Sequence, residues 1–355
     1  MGQKKLMKGN EAIAEGALRA GCRHYFGYPI TPQTEISHYM AKKMPGLKGT
    51  FIQAESEIAA INMVYGAAGA GARAMTSSSS PGISLKQEGI SYMAGAELPG
   101  VIVNIVRSGP GLGGIQPAQS DYFQAVKGGG HGDYKLVVLA PSTVQELYEL
   151  TIEAFNIADR YRILTMILGD GIIGQMMEPV ELKDDEEVQV IEKPWATTGS
   201  GMTREHNTIT SIYIQPEVLE KHNLKLQAKY KAIEENEVRV ESYNCENADI
   251  ILTAYGSVAR IVKNVIKMAA KEGIKVGLIR PITLFPFPKA EFEKYAEVPK
   301  AFLSVEMSAG QMVEDVRLCV NGKRNVYFYG RMGGMVPTQI EILNNIKEIL
   351  AKEGK

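Results

Sequence analysis

The sequence predicts an α/β protein, a doubly wound domain on a parallel sheet followed by a second, smaller α/β domain. Two observations carry this. From residue 24 to 169, short apolar runs alternate with segments of helical periodicity, the rhythm of strands joined by crossover helices. The rhythm lapses after Pro179 and returns from Asp249. A chain of 355 residues can bury two cores, and 45% hydrophobic with 22% charged residues is ordinary for a globular protein.

Taken in order, residues 10–21 are Ala-rich with helical spacing, and Gly21 can end that helix. His24 to Tyr28 reads as a strand. Thr31-Pro32 then reads as a helix N-cap and first-turn proline, with Glu35 near the positive end of the dipole and Pro45 beyond the stop. Residues 50–54 form the next strand, and a helix rich in small residues runs from about Ser56 to Gly71. Strand 72–76 ends in Ser77-Ser78-Ser79-Ser80-Pro81-Gly82, and a helix covers 83–95. Gly100 to Arg107 is apolar almost throughout, as in a strand buried on both faces. A long Gly-rich stretch, 108–132, follows, with a short helix near 120–126. Strand 135–140, an amphipathic helix 143–160 and strand 163–169 complete the first domain.

Residues 183–247 hold acidic runs, the only Trp (Trp195) and a charged helix near 216–236. The second domain then reads as strand 250–254, helix 258–271, strands 275–280 and 301–306, helix 311–320, strand 325–329 and helix 337–352. The expected organisation is a domain over 1–182, a linker or excursion over 183–247 and a domain over 248–355. No short-period repeat is present.

The net charge of −1 gives no electrostatic reason to bind nucleic acid or an anionic membrane. Cys22, Cys245 and Cys319 are scattered and include no Cys-x-x-Cys pair, so no zinc site or iron–sulfur cluster is expected on this chain alone. Such sparse cysteines suit a reducing compartment. The start lacks a signal-peptide core, and no uncharged apolar run reaches the ~18–20 residues of a membrane span. The expectation is a cytoplasmic protein.

Ligands of open α/β sheets sit where strands end and helices begin. Two such corners stand out, Gly27-Tyr28-Pro29-Ile30-Thr31-Pro32 and Gln53-Ala54-Glu55-Ser56-Glu57. Thr31 offers a hydroxyl and a helix N-terminus that favours anions, though a plain cap explains it equally. Glu57 suits a ligand hydrogen bond, or merely complements the helix dipole. Arg107 ends a buried strand and needs a partner; a carboxylate taken bidentately fits. His131, amid glycines, reads as solvated or ligand-contacting, and the Ser77–Ser80 run as a cap or a contact. Gly169-Asp170-Gly171 mimics the magnesium–diphosphate signature of thiamine diphosphate enzymes, but its downstream window, Pro194 to Gly201, has no Asn. Asp170 therefore reads as a strand-terminal turn. The Gly109–Gly114 register precedes no clear helix, so a dinucleotide fingerprint is weak.

Together, Tyr28-Pro29-Ile30-Thr31-Pro32, Gln53–Glu57, Arg107 with its Gly-Pro-Gly loop, Gln119-Ser120-Asp121 and His131-Gly132 resemble the alpha subunit of 2-oxoacid:ferredoxin oxidoreductases. Ile279-Arg280-Pro281, Val305-Glu306-Met307 and Gly310-Gln311 extend the resemblance over nearly the whole chain. The branched-chain (3-methyl-2-oxobutanoate, or 2-oxoisovalerate) member is the nearest look-alike, through Gln-Ala-Glu-Ser-Glu and Ser-Ser-Ser-Ser-Pro-Gly. The resemblance implies a thiamine diphosphate pyrimidine-binding-type domain and a transketolase C-terminal-like domain. It implies that Glu57, rather than Glu55, bonds the cofactor's pyrimidine beside Pro29 and Ile30. It implies that Thr31 and Arg107, with His131 as a further candidate, hold the substrate. It also implies oxidative decarboxylation of a 2-oxoacid to acyl-coenzyme A and CO2 with reduction of ferredoxin, as in anaerobic metabolism. The diphosphate site, Mg and iron–sulfur clusters would lie in partners: a beta subunit, with gamma and ferredoxin-like delta subunits. Pyruvate or 2-oxoglutarate as substrate, a decarboxylase with another acceptor, and a non-catalytic carboxylate-binding module stay open.

Overall fold

The computed structural model describes residues 3–182 and 191–354. The chain begins β1 (Gln3–Lys8), α1 (Gly9–Arg19), β2 (His24–Gly27), α2 (Thr34–Lys43), β3 (Thr50–Gln53), α3 (Glu57–Gly69), β4 (Ala74–Ser78) and α4 (Pro81–Gly95). It continues β5 (Gly100–Val106), α5 (Tyr122–Val126), β6 (Val137–Leu139), α6 (Val144–Tyr161), β7 (Leu164–Asp170), α7 (Gly171–Gln175), β8 (Met177–Leu182) and α8 (Pro216–Asn236). The second half holds β9 (Val240–Tyr243), β10 (Ile250–Thr253), α9 (Gly256–Lys271), β11 (Val276–Pro281), β12 (Thr283–Phe285) and α10 (Lys289–Tyr295). It ends β13 (Ala301–Glu306), α11 (Met312–Val320), β14 (Asn325–Gly330) and α12 (Gln339–Glu353).

The larger sheet runs β12-β6-β7-β5-β4-β2-β3 and is parallel except for β12. Strands β4, β5 and β7 are buried at every residue, as expected where helices cover both faces. The smaller sheet runs β14-β13-β10-β11-β9, with β9 antiparallel at its edge. Two strands thus cross the apparent domain boundary. β12, encoded after the second domain begins, completes the first sheet, and β9, from the middle segment, completes the second. The middle segment is not a bare tether. Leu226, Tyr230 and Ile233 of α8 pack into the core formed with α1 and α6, while residues 183–190 lie outside the described residues. The β1–β8 ribbon and helices α7 and α10 are further elements with no strong sequence periodicity.

One expected cap is corrected. Helix α2 starts at Thr34, not at Thr31-Pro32, and Gln33 occupies the cap position. Residues 30–33 make a separate turn first, with Gln33 N donating to the Ile30 carbonyl at 3.1 Å. The Gln33 side chain is buried and accepts the Ser77 hydroxyl at 2.5 Å instead of capping. Helix α4, by contrast, begins earlier than expected, with Pro81 in its first turn.

The two sheets meet along a polar seam. Gln119 exchanges four hydrogen bonds of 2.8–3.2 Å with Tyr255 and Met307. The Gln311 amide donates to Ser120 O at 2.8 Å, and its carbonyl accepts from Phe123 N at 2.8 Å. The Arg280 guanidinium takes both oxygens of Glu146 at 2.8 Å and lies 2.9 Å from Glu241 as an ion pair. At the end of β13 the Glu306 carboxylate is fully buried and accepts from three backbone N–H groups of the following turn at 2.9–3.1 Å.

Candidate active site

The carboxyl ends of β5, β4, β2 and β3 lie side by side, and each is followed by one of the corners singled out above. Ser56 caps α3, its hydroxyl accepting from Ala59 N at 3.1 Å. That cap turns Glu57, the first helical residue, inward to 6% exposure, while Glu55 stays exposed. No hydrogen bond to the Glu57 side chain comes from any of the described residues. The first turn of α4 lies directly on the carboxylate: a Cβ on Gly82 would fall 2.7 Å from Glu57 Oε1 and 2.0 Å from Ser78 Oγ. One turn further on, Lys86 is fully buried, with Nζ 3.5 Å from the Glu57 carbonyl. Burial pushes this ammonium down to about 8, against the pull of Glu57. In and just after β4 the hydroxyls of Thr76, Ser78 and Ser79 are buried and have no partner.

Arg107 leaves β5 at 8% exposure. Its guanidinium donates to the Thr31 carbonyl at 3.1 Å and the Leu112 carbonyl at 3.3 Å, and its buried Nε has no partner. Ser80, held at φ +20°, bonds both the N–H and the carbonyl of Arg107 at 3.1 Å. Asn104 accepts from Ser80 N at 3.1 Å and donates to Asp121 at 2.9 Å. The corners after β4 and β5 are therefore one hydrogen-bonded unit. Burial also raises the Asp121 carboxyl above the usual range.

The structure brings Thr31, Arg107, Glu57 and the serine run to one edge of the sheet. It does so for Thr31 through its carbonyl, since the side chain is exposed. Pro29 is exposed and Ile30 half-buried on the same loop. His131 is not brought in. It is exposed, its carbonyl accepts from Ser91 Oγ at 2.7 Å, and its ring meets Tyr92 edge-on at 6.0 Å. Ser91 and Ser80 stand at opposite ends of α4, about 16 Å apart at ~1.5 Å per residue. Asp170 caps α7 through the backbone N–H groups of Ile172 and Ile173 and takes the Ser257 hydroxyl at 2.6 Å, so it is a strand-end turn that also ties the seam.

Sequence reasoning missed Gln33, Lys86, Asn104 and Asp121. Asn104 had left a signal, a lone amide inside Val101-Ile102-Val103-Asn104-Ile105-Val106. Lys86 left none, since a lysine on a helix ordinarily faces water. The cysteines are all buried, and burial pushes Cys22 up to about 12 and Cys245 and Cys319 to about 11. Among the described residues, no group of three or more His, Cys, Asp or Glu side chains is placed to hold a metal ion. No described helix is long and apolar enough to cross a membrane.

Comparison with known proteins covers the same ground. The family profile described as "Pyruvate flavodoxin/ferredoxin oxidoreductase, thiamine diP-bdg" matches residues 15–242, and "Pyruvate:ferredoxin oxidoreductase core domain II" matches 248–342. A relative named ketoisovalerate oxidoreductase subunit VorB, from Methanothermobacter marburgensis, is 52% identical over 97% of each chain. A solved 2-oxoglutarate:ferredoxin oxidoreductase from Magnetococcus marinus, with 2-oxoglutarate, coenzyme A and succinyl-CoA bound, superposes with TM-score 0.87 at 28% identity. It matches 98% of this chain, which spans 65% of that longer one. A split-gene transketolase shares the fold alone, at TM-score 0.57 and 12% identity, over 97% of this chain and 96% of its own.

Proposed function

The chain belongs to the pyruvate flavodoxin/ferredoxin oxidoreductase family, and on that premise we propose that it is the thiamine-diphosphate-binding subunit of a 2-oxoacid:ferredoxin oxidoreductase. The observation that carries this is Glu57, a carboxylate sunk at a strand-to-helix corner with no hydrogen-bond partner among the described residues. A buried carboxylate without a hydrogen bond is under-satisfied, and a protonated ring nitrogen of a bound pyrimidine would donate the bond it lacks. The surroundings fit such a ring. Gly82 leaves no side chain between α4 and the carboxylate. When bound, thiamine diphosphate supplies the nucleophilic carbon and the electron sink for decarboxylating a 2-oxoacid. Glu57 holds a proton between itself and the ring nitrogen, and so tunes the cofactor's own base.

Arg107 holds the substrate carboxylate. It lines an open cleft, and its bonds to the Thr31 and Leu112 carbonyls fix the guanidinium plane. The Thr31 hydroxyl, on the adjacent loop, takes the 2-oxo oxygen. The substrate is branched-chain, 3-methyl-2-oxobutanoate, as the name of the 52%-identical relative suggests. The chain works with partners: a beta subunit for the diphosphate, Mg and a cluster, gamma and delta subunits, and ferredoxin and coenzyme A as co-substrates. It acts in the cytoplasm. His131 has no part in substrate binding in this reading, because it stands at the far end of α4.

The test is co-purification from the native cell, identification of the partners, and dye reduction with a panel of 2-oxoacids. Branched-chain-dependent reduction of a viologen is expected only from the complex. Turnover by the isolated chain, or none by the complex with any 2-oxoacid, overturns the proposal.

A further inference from the structure

A branched substrate needs an apolar pocket, whereas a dicarboxylic 2-oxoacid needs a second cation. A cleft of about 720 Å³ opens beside Arg107, between the strand-end corners and two loops of the second domain. Its apolar wall comes from Pro81 and Leu85 on α4, Ala118 in the loop after β5, and Met307 and Met332. Met307 is buried, but Leu85 and Met332 remain 50% and 62% exposed, so both present apolar surface to whatever enters. The Met332 loop is seated tightly on the first domain. Gly334 has φ +95°, and a Cβ there would meet the Gln116 Cβ at 2.4 Å. Gln311 fixes the opposite wall through its bonds to Ser120 and Phe123. Among the described residues lining this cleft, Arg107 is the sole cation, and the other ionisable group is Asp121.

We infer that this cleft is the selectivity pocket of the proposed reaction: Arg107 takes the 2-oxoacid's carboxylate, the Leu85–Ala118–Met307–Met332 wall takes its branched chain, and the lack of a second cation turns away a distal carboxylate. The inference rests on the reading above. A second carboxylate entering beside Asp121 would find no positive partner among the described residues of this chain that line the cleft, and a charge withdrawn from water without one is strongly disfavoured. An added methylene in an apolar pocket changes kcat/KM by about 10–200-fold, so the wall also sorts a branched acid from pyruvate.

The experiment compares kcat/KM for 3-methyl-2-oxobutanoate, pyruvate and 2-oxoglutarate in the assembled complex, for the parent, Leu85→Arg, Met332→Arg and Met332→Ala. Both arginine variants alter exposed positions, and melting temperatures near the parent's show that they fold. The expected result is a shift of roughly tenfold or more toward 2-oxoglutarate in at least one arginine variant. Met332→Ala should lose about tenfold on the branched acid and less on pyruvate. A parent that prefers 2-oxoglutarate, or folded variants with the parent's substrate ratios, overturns the pocket assignment while leaving the reaction standing. A parent complex that uses no 2-oxoacid overturns the reaction itself.

Discussion

Arg280 and Lys86 are both fully buried cations, and the regions around them are built on opposite terms. Arg280, in the seam between the sheets, has two carboxylates, Glu146 at 2.8 Å and Glu241 at 2.9 Å. Lys86, behind the strand-end corners, has a backbone carbonyl at 3.5 Å and the pull of Glu57, but no ion pair among the described residues. The same contrast holds for their neighbours. In the seam, Gln119, Gln311 and Asp170 are bonded at both ends of their side chains. Along β4 and at the ends of β4 and β5, the hydroxyls of Thr76, Ser78 and Ser79 and the Nε of Arg107 are buried and unpaired. Buried polar groups are nearly always satisfied, and a cluster of exceptions in one place calls for a reason. The seam is nearly closed within this chain: among Arg280, Gln119, Gln311 and Asp170, the Arg280 Nε alone lacks a hydrogen bond, and it lies 2.9 Å from Glu241 as an ion pair. The strand-end region keeps buried polar groups that this chain leaves unpaired.

The largest break in this contrast should come from Glu57→Gln. It keeps the shape and removes the charge that a bound ring nitrogen would use. Dye reduction by the assembled complex should fall about 10²–10⁴-fold, the usual worth of a positioned acid–base group, with melting temperature near the parent's. Full activity in this variant would return Glu57 to a dipole-complementing role.

Arg280→Met tests the other side. Removing one partner of a buried pair strands the others, and such losses run to about 3–5 kcal/mol. The low end is expected, because Glu146 and Glu241 keep 27% and 34% exposure and so some access to water. Denaturant unfolding should show that loss, while turnover per folded complex stays near the parent's. A variant that keeps its stability but loses turnover would move Arg280 from the seam to the site.

Arg107→Lys is expected to be smaller but more specific. It keeps the charge and loses the planar fork. A charge-assisted hydrogen bond worth about 1.5–3 kcal/mol corresponds to a loss of about 10–150-fold in kcat/KM. Steady-state kinetics over a 2-oxoacid panel would check it. Losses equal for all acids fit a hold on the shared carboxylate, and unchanged kinetics would leave Arg107 as a loop anchor for Thr31 and Leu112.

The sequence made the strand-and-helix rhythm legible because periodicity is local. Each strand of the first domain from β2 to β7 stands within a few residues of its expected place. It could not show that β12 and β9 trade sheets, since pairing across the boundary depends on contacts far apart in sequence. The site was half legible. Glu57, Thr31 and Arg107 stood at corners that parallel sheets expose. The expected cap at Thr31 failed because a turn at Ile30–Gln33 intervenes, and a glycine-rich setting could not show which end of α4 His131 reaches. Gln119 and Gln311, which helped carry the family resemblance, bond across the seam.

Lys86 allows the contrast to be read through pH. Burial lowers its ammonium from 10.5 to about 8 in the folded chain. Between those values the unfolded chain binds a proton that the folded chain does not, so folding stability gained from this group rises with pH across the window. Below about 8 both states are charged, and the full cost of burying the ammonium is present. Lys86→Met removes that cost without opening a large cavity. The stability difference between variant and parent should therefore favour the variant most near neutral pH and shrink as pH climbs from 8 to 10.5. The change across the window should be about 3 kcal/mol, at ~1.4 kcal/mol per pH unit. Denaturant midpoints of both proteins, taken at intervals through that range, measure it. Parallel profiles for Lys86→Met and the parent would mean that the ammonium already has a partner, and that this part of the strand-end region is as closed as the seam.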